Sequence, residues 1–214
     1  MLNTSRGSAT VEFAIIFPTL LMILVSMVDV TNMVTASRRL QIVANSIAAL
    51  VAATNSGSVT YADLEFAASS AMVLFPGVLS DSHARNEAWS SDISISISSV
   101  VFKKTNPQCV SNCAYTANVA WSGGAARRPC GINLTPVADT APPSTTTLPT
   151  DAFGPGSVIV ADVVYTFTPT FLTIAAVTFR KSSYIAPRYV PPSSYISYSV
   201  VTGDDGYAAS CPSY

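Results

Sequence analysis

The chain opens on an apolar run. No charged residue occurs from Phe13 to Val28, and the run reaches Val34 if Asp29 is accommodated at headgroup level; a spanning helix needs roughly 20 such residues. Beyond the run the helical period persists. Ala36, Leu40, Val43, Ile47 and Leu50 recur at alternating spacings of four and three, while Arg38, Gln41 and Asn45 take the other faces. The pattern predicts one helix from about Ser8 to about Ala53, roughly 69 Å long at 1.5 Å per residue. Its first half would sit in lipid, and its second half would lay Leu40, Val43, Ile47 and Leu50 on a folded body. Asn55, Ser56 and Gly57 supply the stop.

A shorter helix is predicted from Tyr61 to Phe75, capped by Thr60, with Asp63 and Glu65 in its first turns and Pro76-Gly77 ending it. Four alternating segments then read as strands. Asp92 to Ser98 sets Ile93, Ile95 and Ile97 against Ser94, Ser96 and Ser98. Tyr115, Ala117, Val119 and Trp121 share a second apolar face, and Ile159, Ala161, Val163, Tyr165 and Phe167 a third. Ala175, Val177 and Phe179 make a fourth. Two-faced strands suit an antiparallel sheet covered on one side, and the helical stripe is the natural cover. The expected class is therefore α+β, a long N-terminal helix packed on a small antiparallel sheet. Between the strand pairs, the Pro- and Thr-rich stretch 136–149 is expected to be an exposed loop, and Gly203-Asp204-Asp205-Gly206 a plain turn.

Composition sharpens this picture. The 214 residues are 49% hydrophobic and 11% charged, against a usual quarter charged, and the mean hydropathy is +0.40. A formal net charge of -1 argues against nucleic acid, and Arg127-Arg128 is too small a basic patch to reverse that. A cleavable secretory signal is the first rival for the apolar run. It is disfavoured by a leader with one basic residue, Arg6, and by the absence of an A-x-A-like site after the run. Positive charges on both sides, Arg6 before and Arg38-Arg39 after, leave orientation open by charge alone.

The search for chemistry returns little. Four cysteines, Cys109, Cys113, Cys130 and Cys211, all follow the apolar segment, and an even number in an exported domain favours disulfides over zinc. Three pairings are possible; the preferred one joins Cys109 to Cys113 and Cys130 to Cys211. The only histidine, His83, is read as a solvated loop residue. No nucleophile elbow, phosphate loop or dinucleotide fingerprint is present, so no enzyme, metal or cofactor is expected.

One short stretch carries more. Glu12 stands at the head of the apolar segment, five residues after Gly7, and an acid placed there is a functional hypothesis in its own right. The segment Arg6-Gly7-Ser8-Ala9-Thr10-Val11-Glu12-Phe13-Ala14-Ile15-Ile16-Phe17-Pro18 resembles the N-terminus of TadE-like proteins, minor pseudopilins of the tight-adherence (Flp) pilus system. The strand pair around Val163 to Pro169 and Thr178 to Arg188 is similar to the C-terminal strands of that family. The resemblance implies a pilin-like fold and processing by a prepilin peptidase between Gly7 and Ser8, leaving Glu12 to pair between subunits. It divides the chain into a leader (1–7), a transmembrane helix (8–34) and a periplasmic domain (35–214). It implies as partners the major Flp pilin, other minor pseudopilins and an inner-membrane assembly platform. An anchored periplasmic binding or adhesion domain is the alternative.

Overall fold

A computed structural model describes residues 5–171, 175–201 and 206–212; the Gly203-Asp204-Asp205 part of the expected turn lies outside them. The chain begins with helix α1 (Ser5–Ala52). It continues through β1 (Ser58–Val59), α2 (Tyr61–Leu74) and α3 (Pro76–Ala84), then β2 (Ile93–Lys104), β3 (Tyr115–Gly124), β4 (Asn133–Val137) and β5 (Thr147–Pro149). The last elements are β6 (Gly156–Phe167), β7 (Val177–Ile185), β8 (Ser197–Tyr198) and β9 (Ala208–Ser210). The main sheet runs β5-β4-β3-β2-β6-β7, antiparallel except for the β4–β5 pair, and β9 adds to β3.

Local chemistry sets the helix ends. Thr60 and Asp63 form a reciprocal capping box at the start of α2, which satisfies two backbone donors that the first turn leaves open. Pro76 stops α2 and also starts α3, because its missing N–H costs nothing at a first helical position. The chain bends by 80° there, so α2 ends where expected and α3 follows as a further, unexpected helix, with His83 exposed on α3 rather than in a loop. The end of α1 is tied down from a distance: the Arg188 N–H donates to the Ala52 carbonyl at 3.0 Å.

The main core lies between the second half of α1, α2 and one face of the sheet. Leu40, Val43 and Ile47 are fully buried there with Ile97, Ile159, Ala161 and Val163; truncating Leu40 to Ala would cost about 2–5 kcal/mol. Leu50 departs from expectation at 44% exposed, and Val51 is buried instead. Both spacings fit a helical stripe, but the packed arc continues through Ala44, Ala48 and Val51, which leaves Leu50 just off its edge.

The sheet is covered on both faces, which corrects the one-sided expectation. Val100, Phe102, Ala117, Val119, Leu134, Leu148, Val158 and Val160 form a second core on the face away from α1. Its lid includes the Pro/Thr-rich stretch, whose ends form β4 and β5 and whose Leu148 is fully buried. Of the serines expected to face water, Ser96 and Ser98 are also inside, and Ser94 is half-buried. The Ser98 and Ser122 hydroxyls share a bond at 2.8 Å, and Ser122 and Ser96 accept the backbone N–H groups of Arg128 and Ala126 at 2.9 and 2.8 Å. Hydroxyls can lie under a covering segment because they supply acceptors to its backbone.

A bulge in β3 accounts for the other difference. Ser99 pairs with Trp121 and Val100 with Val119, so Ala120 is the extra residue. An extra residue flips every side chain after it to the opposite face. Ala117 and Val119 therefore point to the second core, while Ala120 and Trp121 point to the main one, instead of all sharing a side. The extra residue is used: the Ala120 carbonyl accepts the Cys211 N–H at 2.8 Å, and Trp121 Nε1 donates to the Ile196 carbonyl at 2.6 Å. Disulfides join Cys109 to Cys113 and Cys130 to Cys211, the preferred pairing. The second ties the tail onto β3 beside the bulge.

Candidate functional site

The residues singled out for processing and assembly lie on α1. Gly7 and Ser8 fall inside its helical backbone, where a glycine weakens the helix by about 1 kcal/mol relative to Ala close to an end that frays readily. The Glu12 side chain is exposed. Pro18 interrupts the ladder without ending the helix. Polar side chains in this half are satisfied internally: the Ser26 and Thr31 hydroxyls donate to the Met22 and Met27 carbonyls at 2.7 and 2.8 Å. Val11, Phe13, Ile15, Leu20, Ile23 and Met27 are exposed, a surface suited to lipid or to neighbouring helices rather than to water.

Contact with the body begins abruptly at Asp29. Its side chain is fully buried, and its carboxylate accepts the Thr170 N–H at 3.2 Å and the Phe171 N–H at 2.8 Å from the turn after β6. Two bonds to an ionised acceptor, each worth about 1.5–3 kcal/mol net, offset the cost of burying the group. The sequence alone places Asp29 at headgroup level; the structure makes it a clamp between the helix and the body. A signal for it exists: counting back from Ala36 in steps of three and four reaches Met33 and then Asp29, so the stripe starts about one and a half turns before the expected boundary at residue 34.

Past Asp29 the helix offers two surfaces. One is the packed stripe of Leu40, Val43 and Ile47. The other is an open apolar groove of about 790 Å³ between α1 and α2, lined by Leu50, Phe66 and Val73 with Arg188 at its margin. Phe66 and Val73 are 71% and 82% exposed. Near the clamp, Asp81 of α3 accepts the Tyr165 hydroxyl at 3.1 Å. Burial pushes the Tyr165 phenol well above its ordinary range, and the Asp81 charge adds to the shift.

The four cysteines, all bridged, stand in the body and not on the helix. The body also holds a charged pair that sequence reasoning missed, because Arg128 and Asp162 are far apart in the chain. The Arg128 guanidinium donates to both oxygens of Asp162, at 2.7 and 2.9 Å, and to the Thr147 carbonyl at 2.9 Å. The pair pins the lid of the second core to β6.

The geometry thus separates an exposed apolar half-helix, carrying one acid near its head, from a clamped and disulfide-bonded body. No curated protein and no solved structure matches the chain. Residues 7–49, a segment lying wholly within α1, match the family model described as TadE-like protein, the family that the Gly7-to-Pro18 stretch resembles.

Proposed function

We propose that the protein is a minor pseudopilin taking part in assembly of a tight-adherence (Flp, type IVb) pilus. The observation that carries the reading is the TadE-like match over residues 7–49 of α1, which takes in both its packed stripe and its exposed half, where Gly7 and Glu12 stand before an apolar surface. The match points to a Tad/Flp pilus system, and the one long apolar helix is consistent with a single-pass membrane anchor. In this reading a prepilin peptidase cuts between Gly7 and Ser8. The new amine at Ser8 then pairs with Glu12 of a neighbouring helix. An unpaired carboxylate in a low-dielectric bundle is costly, so pairing selects one axial stagger between subunits.

The body sits in the periplasm and the protein stays in the inner membrane until it joins or primes the fibre. Its two disulfides favour an oxidising compartment. The partners are the prepilin peptidase, the major Flp pilin, other minor pseudopilins and the inner-membrane platform. The role is structural, not catalytic. N-terminal sequencing of protein extracted from membranes tests it. A chain starting at Ser8 is expected; one starting at Met1 in a strain with active prepilin peptidase overturns the reading.

A further inference from the structure

The turn that Asp29 clamps has a depth set by the helix. On α1, Phe13 to Val28 carries no charge and is largely exposed while Asp29 is buried. At 1.5 Å per residue that stretch measures about 24 Å, most of the roughly 30 Å of a bilayer's hydrocarbon, with Glu12 just beyond its other end. Asp29 therefore stands at the outer boundary of the hydrocarbon when α1 spans. The backbone of Thr170 and Phe171 lies within hydrogen-bond distance of its carboxylate, at 3.2 and 2.8 Å, so these two residues are held at the same level.

We infer that Thr170 and Phe171 form a second membrane contact, with Phe171 seated among the lipid headgroups and upper acyl chains beside the helix. Three observations carry the assignment. Phe171 is 57% exposed although it is a large aromatic, and aromatic rings are favoured at the bilayer interface. From Val163 to Phe179 the sequence holds no charged residue, so the segment that carries Phe171 is compatible with a poorly hydrated layer. The first charges behind it, Arg180 and Lys181, are both basic, the sign that anionic headgroups attract. They pair in register with Val164 and Val163, about 10 Å back from Val177 at 3.3 Å per residue.

The clamp also answers the objection that irregular backbone does not enter a membrane. Unpaired N–H groups are costly away from water. Here the N–H groups of Thr170 and Phe171 donate to Asp29, and they offset part of the cost of placing a carboxylate there. The body is thereby fixed to the bilayer at two points rather than swinging on one helix. The lipid contact is continuous with the exposed surface of α1.

This inference rests on α1 being a membrane anchor, and the test separates the two. Full-length protein is placed in phosphatidylcholine–phosphatidylglycerol bilayers whose acyl chains carry bromine either near the headgroup or near the chain end. Tryptophan emission is compared among the parent, with Trp89 and Trp121, and two variants at exposed positions, Leu20→Trp and Phe171→Trp. The expected result is loss of the Leu20→Trp signal mainly to deep bromines, and of the Phe171→Trp signal mainly to shallow ones, each beyond the parent's loss. Quenching of Leu20→Trp without added quenching of Phe171→Trp overturns the second contact alone. An unquenched Leu20→Trp overturns the anchor, and the second contact with it. A blue-shifted Phe171→Trp that neither bromine quenches assigns the side chain to a protein partner and overturns the lipid assignment. Adding Asp29→Ala to Phe171→Trp should weaken the shallow quenching, and unchanged quenching would overturn the role of the clamp.

Discussion

Replacing Asp162 by asparagine should unfold the body at a much lower temperature, and the size of the loss follows from where the pair sits. The side chains of Arg128 and Asp162 are 0% and 9% exposed, so solvent screening does not reduce their interaction. The carboxylate accepts two guanidinium bonds, at 2.7 and 2.9 Å, and the Ser182 hydroxyl. An asparagine side chain keeps the shape but offers one acceptor and turns an N–H₂ toward a cation. Arg128 would then remain buried without a counter-charge, held by that one acceptor and the Thr145 and Thr147 carbonyls. Stranding one member of a buried pair costs about 3–5 kcal/mol, whereas an exposed pair is worth at most about 1 kcal/mol. For a chain of this size the loss corresponds to a fall in Tm of about 6–20 °C.

The assay is thermal unfolding of full-length protein in detergent, followed by near-ultraviolet circular dichroism with the disulfides intact. The double variant Arg128→Met, Asp162→Leu removes both charges, and the freed Thr145 and Thr147 carbonyls belong to partly exposed residues and can reach water. It should recover most of the stability, since apolar replacement of a buried pair is often neutral or favourable. A fall below about 2 °C for Asp162→Asn, equivalent to about 1 kcal/mol at this size, would refute the reasoning. So would a double variant no more stable than the single one, because the loss would then be packing rather than a stranded charge.

Gly7→Ala should slow or block cleavage and leave the leader in place, whereas Glu12→Ala should be cut at the same bond yet assemble poorly; N-terminal sequencing and recovery in sheared pili read the two separately. Cys130→Ser with Cys211→Ser should cost more than Cys109→Ser with Cys113→Ser, because the bridges close separations of 81 and 4 residues; loop entropy gives a difference of about 2–3 kcal/mol, read from denaturant midpoints. Tyr165 should make stability fall at alkaline pH. Its folded pKa is raised by burial and by Asp81, so its contribution is complete below the unfolded value of about 10 and is lost as pH rises above it. Tyr165→Phe should flatten that limb in denaturation measured between about pH 8 and 11, at a cost of about 1 kcal/mol for the lost hydrogen bond; an unchanged slope would reject the assignment.

Much of the architecture is legible from the chain because it is local. The apolar run, the stripe of Leu40, Val43 and Ile47, the Thr60 cap and the alternation of β6 each express a period of 3.6 or 2 within a few turns or strand residues. The site is legible for the same reason: Gly7 and Glu12 stand at a fixed spacing beside the run that gives them meaning. What tertiary structure decided depends on partners distant in sequence. Ala120 is a bulge in a strand that pairs with β2 along one edge and with the tail along the other, and Trp121 changes face as a result. Ser96 of β2 and Ser122 of β3 are interior because the segment after β3 folds over them and donates its backbone N–H groups. Asp29 reads as a tolerated charge until a turn from 141 residues away brings its N–H groups to it. Arg128 meets Asp162 across 34 residues. Periodicity reports which face of an element is apolar, but a hydrogen bond or ion pair is specified only when two elements dock, and docking is a property of the whole chain.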